Sequence, residues 1–304
     1  MRISQNLIAG WCVLLTLLMA VPLCAQQIAF TWDDLPAHSA LPVGETRVEI
    51  GHQLISAMKD AHMPPVFGFV NGVQLEHEPL SAPMLKDWRD AGFQLGNHAW
   101  SHMNLNEHTL ADWEADVLKN EPVLQSYAGG EDWRWLRFPY LAEGDTPEKR
   151  AAARKFLADH GYRIAGVTMS FDDYAFNEPY ARCVASNNVA AIAKLETSYL
   201  KAADDEIEHS RAAAKLIYGR EIPYVLLMHV GAFDARMLPR LLKLYRDRGF
   251  TFVTLQEAEN DPAYKDDMDL SLPAFEDSPE AAKTRSAQLP PKPALDLDLN
   301  ALCR

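Results

Sequence analysis

Short apolar runs alternate along the chain with longer stretches of helical periodicity, the pattern of repeated βα units that build a parallel sheet. Seven runs read as strands: Gln27–Thr31, Val66–Val70, Phe93–Asn97, Trp135–Phe138, Arg163–Thr168, Val225–His229 and Phe250–Thr254. Helical spacing predicts helices over Glu45–Ala61, Leu80–Ala91, Thr109–Tyr127, Pro147–His160 and Arg236–Arg248. The interval between the fifth and sixth strands is the longest. It is expected to hold an irregular piece, Tyr174–Asn188, and then a helix from Val189 to about Tyr218. The pattern therefore predicts one α/β domain over residues 26–260, with an insertion at about 175–223 and a proline-rich tail over 261–304.

Residues 1–25 begin with Arg2, run through an apolar stretch from Leu7 to Leu23 and end on the small Ala25, the layout of a signal peptide. Gly10, Thr16 and Pro22 interrupt the stretch, and its unbroken core is shorter than the roughly 18 to 20 residues of a membrane span. This predicts a periplasmic or secreted protein with no membrane span once the leader is removed. Cleavage would discard Cys12 and Cys24 and leave Cys183 and Cys303. An oxidising compartment would join these two as one disulfide; two separate buried thiols are the alternative. A hydrophobic fraction of 48% over 304 residues provides for a large core. The formal charge of -13, with no Lys/Arg cluster, argues against nucleic acid and anionic membrane surfaces as partners.

The chemically interesting side chains gather at one end of the expected strands. Asp33 and Asp34, His98, Arg137, Asp173 and His229 each fall at or just past a C-terminal strand end, where barrel enzymes keep their active sites. His98 and His102 are four apart, a spacing that sets both imidazoles on one side of a helical turn and lets both bind one metal. Adjacent acids such as Asp33 and Asp34 are commonly a solvated turn or a helix cap. Read chemically, one would complete the ligand set and the other would take a proton from a water whose pKa the metal lowers from about 15.7 towards about 7. Arg137 can hold a carboxylate through a bidentate contact. His229 ends an apolar strand and reads either as a satisfied core histidine or as a general acid tuned by a carboxylate such as Asp173. No G-x-S-x-G, G-x-G-x-x-G or P-loop pattern is present, which sets aside a serine nucleophile and nucleotide cofactors.

Taken in order, these segments resemble the polysaccharide deacetylase family, the NodB-homology domain of carbohydrate esterase family 4, across roughly residues 27–260. Thr31-Trp32-Asp33-Asp34 resembles the family's T-F-D-D, His98 to His102 its H-[ST]-x-x-H, Arg137 to Tyr140 its R-x-P-[YF], Asp173-Tyr174 its Asp-Trp element and Leu227 to His229 its L-x-H. The resemblance implies a distorted (β/α)7 barrel and a divalent metal, zinc or alternatively cobalt, held by Asp34, His98 and His102. It also implies Asp33 as base, Arg137 orienting Asp33, the Tyr140 backbone N–H at the oxyanion, and His229 as acid tuned by Asp173. The implied reaction removes an N-acetyl group from an N-acetylglucosamine-containing carbohydrate such as chitin or peptidoglycan. An O-acetyl ester, another amide, or carbohydrate binding without turnover are the alternatives. Three positions depart from the pattern: Trp32 for phenylalanine, Ala99 for a serine or threonine, and Tyr174 for a tryptophan. They bear on the shape of the cleft and leave the ligands, base and acid in place.

Overall fold

In the computed structural model, residues 26–36, 39–272, 287–289, 291–292 and 294–304 are described. The expected signal peptide lies outside them, with Cys12 and Cys24, as do Pro290 and Pro293 of the tail.

Each apolar run pairs into a single parallel sheet: β1 (Gln26–Leu35), β2 (Phe67–Val70), β3 (Gln94–Asn97), β4 (Trp135–Leu136), β5 (Arg163–Ile164), β6 (Tyr224–His229) and β7 (Phe250–Phe252). The strand order is β5-β4-β3-β2-β1-β6, and β7 pairs with the first residues of β1. Beyond β5, Met169 bridges to Leu226 of β6, so the sheet curls towards closure as a distorted barrel. Residues Ile28 to Leu35 are buried without a break, as a parallel strand covered on both faces requires.

Around the sheet run α1 (Arg47–Asp60), α2 (Val73–His77), α3 (Pro83–Asp90), α4 (Leu110–Tyr127), α5 (Pro147–Asp159), α6 (Asn177–Ala185), α7 (Val189–Tyr218), α8 (Ala232–Asp247), α9 (Leu255–Glu259) and α10 (Lys265–Met268). Their starts follow local chemistry. Thr46 and Glu49 form a reciprocal capping box on α1, and Thr109 caps α4 by accepting from the Asp112 N–H. None of the described helices is long and apolar enough to cross a membrane.

Four expectations are corrected. Strand β1 runs on to Leu35, so Asp33 and Asp34 lie inside a strand and cap no helix. Strand β4 stops at Leu136, because Pro139 has no N–H to continue the ladder, although the Arg137 N–H still donates to the Asn97 carbonyl at 2.9 Å. Strand β5 is likewise cut to two residues. The piece expected to be irregular, Tyr174–Asn188, is mostly helical: a 3-10 turn over Asp173–Phe176 leads into α6. Pro179 occupies its first turn, where no intrahelical N–H is needed, and Tyr180, Ala181 and Cys183 are its buried face. Helix α7 follows as expected, and α6 and α7 pack on each other and on α8.

The described end of the chain lies against this insertion. Cys303 forms a disulfide with Cys183 of α6, which excludes two separate thiols. Ser198 of α7 donates to Asp296 at 2.8 Å, and Arg182 of α6 donates to the carbonyls of Leu299 and Leu302 at 2.9 and 3.2 Å.

Candidate active site

The C-terminal ends of the strands open into a cleft of about 550 Å³. Asp33, Asp34, His98, His102, Tyr140 and His229 all line it; Arg137 and Asp173 stand behind the wall, fully buried.

At its centre, Asp34 Oδ1 lies 3.6 Å from His98 Nε2 and 3.5 Å from His102 Nε2. One donor atom from each of the three side chains falls within 4.8 Å of the others, compact enough for one ion. Asp34 reaches this point because β1 shifts register between Trp32 and Leu35 where Asp34 adopts a left-handed φ of 64°. His98 follows β3, and its Nδ1–H donates to the Arg137 carbonyl at 2.7 Å. That bond requires the Nδ1 proton and turns Nε2 towards Asp34.

The two histidines do not share a helical turn, contrary to what their spacing predicts. Ala99 and His102 both take φ of 58°, and the loop between them doubles back. Buried amides and a carboxylate hold it. Asn71 donates to the His98 and Ala99 carbonyls at 2.5 and 3.0 Å, Asn97 accepts from the Ala99 N–H at 2.9 Å, and Asp116 accepts from both the N–H and hydroxyl of Ser101 at 2.9 Å. Burial, with the neighbouring His98 imidazole, pushes His102 down to about 4 against the pull of Asp34 and Asp33, so its ring is neutral at pH 7.

Asp33 is 2% exposed and meets Arg137. The contact is not the bidentate fork expected: Nη1 alone reaches both oxygens, at 3.2 and 3.3 Å. Nη2 donates to the Thr31 hydroxyl at 3.0 Å and the Gly166 carbonyl at 3.3 Å, and Nε to the Ala165 carbonyl at 2.9 Å. Arg137 is thus bolted across β1 and the chain after β5 while it neutralises one buried carboxylate.

Across the cleft, Asp173 accepts from the His229 backbone N–H at 2.7 Å and pairs with its Nδ1 at 3.0 Å. Burial alone would lower the His229 pKa. The Asp173 carboxylate, helped by Asp34 and Asp33, outweighs it and lifts His229 to about 10. The turn that carries Asp173 is locked from behind, because Asn177 donates to Asp234 at 2.7 Å and accepts from the Phe233 N–H at 2.8 Å.

Sequence reasoning passed over Asn71, Gln74, Ser170 and Asp172, which also line the cleft. Asn71 directly follows β2, so the strand-end rule that found the other residues would have found it had neutral side chains been included. Left-handed backbone is concentrated here: Asp34, Ala99, His102, Tyr140 and Asp172 all have φ between 57° and 64°.

This arrangement has known counterparts. The polysaccharide deacetylase family profile matches residues 20–165. A comparison with curated proteins gave no match. Among solved structures, the chitin deacetylase of the fungal pathogen Colletotrichum lindemuthianum is similar at 19% identity and a TM-score of 0.51, over 83% of this chain and 96% of that one. A CE4 family pseudoenzyme from Bacillus anthracis is similar at 14% identity and a TM-score of 0.54, over 77% of this chain and 66% of that one. A mutant CE4 family pseudoenzyme with restored enzymatic activity is similar at 15% identity and a TM-score of 0.54, over 77% of this chain and 68% of that one. At these identities the structures establish a shared fold. Residues 20–165, just under half of the chain, match the polysaccharide deacetylase family, and the described residues share the NodB-type barrel fold of these structures.

Proposed function

We propose that the protein is a secreted, metal-dependent deacetylase that hydrolyses N-acetyl groups of an N-acetylglucosamine-containing polysaccharide or oligosaccharide, of the chitin or peptidoglycan kind, and releases acetate. The observation that carries this reading is the convergence of Asp34, His98 and His102 beside a charge-paired Asp33, opposite the His229–Asp173 pair in one cleft. Two imidazoles and one carboxylate suit zinc, with cobalt the alternative. The fit rests on a His98 Nε2 turned towards Asp34, a neutral His102 and a buried Asp34. A divalent ion there supplies Lewis acidity to the acetyl carbonyl and lowers the pKa of an attacking water.

The remaining work falls to the chain. Asp33, held by Arg137, takes the proton of the attacking water as its oxygen bonds to the acetyl carbon. The Tyr140 backbone N–H donates to the oxygen on which negative charge develops, a contribution typically of about 2.7 to 4 kcal/mol. His229, charged at neutral pH through Asp173, gives its Nε2 proton to the departing amine as the carbon–nitrogen bond breaks. The disulfide supports export, since such bonds persist in oxidising compartments.

The test is acetate release from chitin oligomers and peptidoglycan fragments, with acetylated xylan as an ester control, each with zinc or with chelator. Chelator-sensitive release from the amide substrates is expected; release from xylan alone overturns the amide assignment. Asp33→Asn should keep the metal and lose roughly 10²- to 10⁴-fold in kcat. His98→Ala should lose the metal itself.

A further inference from the structure

The cleft does not end at Tyr174. On its far side a second depression, of about 510 Å³, runs between α6 and the C-terminal segment, and Tyr174 lines both. Tyr174 is 46% exposed and Leu295 on the opposite bank 39%, with Pro179 on the α6 side. Glu178, Asp298 and Asn300 supply polar groups along the same walls.

We propose that this trough is a substrate-binding extension of the catalytic cleft, which receives sugar units of an extended, uncharged glycan strand beyond the unit being deacetylated. The inference rests on the deacetylase reading above and adds to it the length of substrate and the segment that recognises it. A pyranose ring offers flat C–H faces and a rim of hydroxyls. Tyr174 and Leu295 match the faces, and the carboxylates and amide match the rim. Glu178 is paired with Arg182 at 3.6 Å, and Asp298 leaves the trough with a net negative charge that disfavours phosphorylated or uronic-acid chains, in keeping with the overall charge of -13.

The far wall is built and pinned. It is tied at its end by the Cys183–Cys303 disulfide, along its length by Arg182 to the Leu299 and Leu302 carbonyls and Ser198 to Asp296, and near the cleft by Lys292, whose ammonium donates to the Ser170 carbonyl at 2.6 Å. A wall fixed in advance loses little entropy when a ligand arrives. It also lies outside residues 20–165, so the segment that matches the family does not supply it.

The experiment compares kcat/KM of the zinc-loaded, full-length protein on N-acetylglucosamine dimers through hexamers, for the parent, Leu295→Asp and Asn300→Trp. Both positions are exposed, and kcat on the dimer reports that each variant is folded and loaded. The expected result is a hexamer-over-dimer preference in the parent that falls roughly tenfold in the variants, carried by KM and not by kcat. A parent with no length preference, or variants that keep it, overturns the trough while leaving the deacetylase reading intact. If no oligomer is deacetylated, that reading fails separately, and calorimetric binding of the intact hexamer decides the trough: parent binding that both variants weaken supports it, and no binding or equal binding overturns it.

Discussion

Arg137 gives the sharpest test of how the site is held. Its guanidinium is fully buried and its only acidic hydrogen-bond partner among the described residues is Asp33, itself 2% exposed. Arg137→Met keeps an unbranched apolar stem but removes the guanidinium, with every donor and the stacking of Cζ 4.8 Å from the Phe69 ring centroid. Asp33 is then a buried carboxylate without a cation, and the Ala165 and Gly166 carbonyls each lose a partner. Breaking a buried pair from one side costs about 3 to 5 kcal/mol. At about 2 to 4 °C per kcal/mol for a chain approaching this size, the midpoint should fall by roughly 6 to 20 °C. The assay is urea and thermal unfolding at pH 7 in chelator, so that metal does not mask the carboxylate. The double variant Asp33→Asn, Arg137→Met removes the orphan charge and should be more stable than Arg137→Met alone by about 1 to 3 kcal/mol. A single variant within about 1 kcal/mol of the parent, or a double variant no better than the single, refutes the argument that Arg137 acts by neutralising Asp33.

Two further outcomes follow from the neighbouring contacts. Asn71→Ala should weaken zinc binding roughly 10- to 100-fold by freeing the His98–Ala99 carbonyls, measured by competition with a chromophoric chelator; unchanged affinity would remove Asn71 from the positioning of His98. His229, raised from 6.5 to about 10 by Asp173, contributes stability that is complete below pH 6.5 and is lost as pH rises through 10. In metal-free protein, the stability gap between the parent and Asp173→Asn should therefore narrow over that window, with the NMR titration midpoint of His229 falling in the variant; a gap independent of pH would show that Asp173 does not hold the imidazolium.

Much of this was legible in the sequence because the barrel is written in burial. Runs such as Val225–His229 are apolar on both faces, and only a covered parallel strand buries both. The strand-end rule then found Asp33, His98, Arg137 and His229 with no knowledge of distance. What stayed hidden was backbone shape. Nothing in Trp32-Asp33-Asp34-Leu35 signals that the strand bulges at Asp34, and His98 and His102 suggest a helical turn until Asn71 and Asp116, both remote in sequence, are seen with the adjacent Asn97 bending the loop. Helix α6 escaped detection because Pro179 reads as a breaker unless the helix start is already known. The C-terminal segment has no periodicity at all; its place is set by a disulfide and by carbonyls that accept from Arg182, which only the folded chain brings near.

The left-handed backbone around the cleft restricts how this protein can change. A left-handed φ costs a non-glycine residue roughly 1 to 2 kcal/mol and is worse for a β-branched one. At Ala99, therefore, glycine would relax the loop, whereas valine or isoleucine would strain it. The backbone that brings Asp34, His98 and His102 together thus tolerates branched side chains poorly at its left-handed positions. A change in what the cleft accepts has to enter through lining residues on ordinary backbone, such as Gln74, Ser170 and Leu227, where a new side chain can be tried without disturbing that backbone.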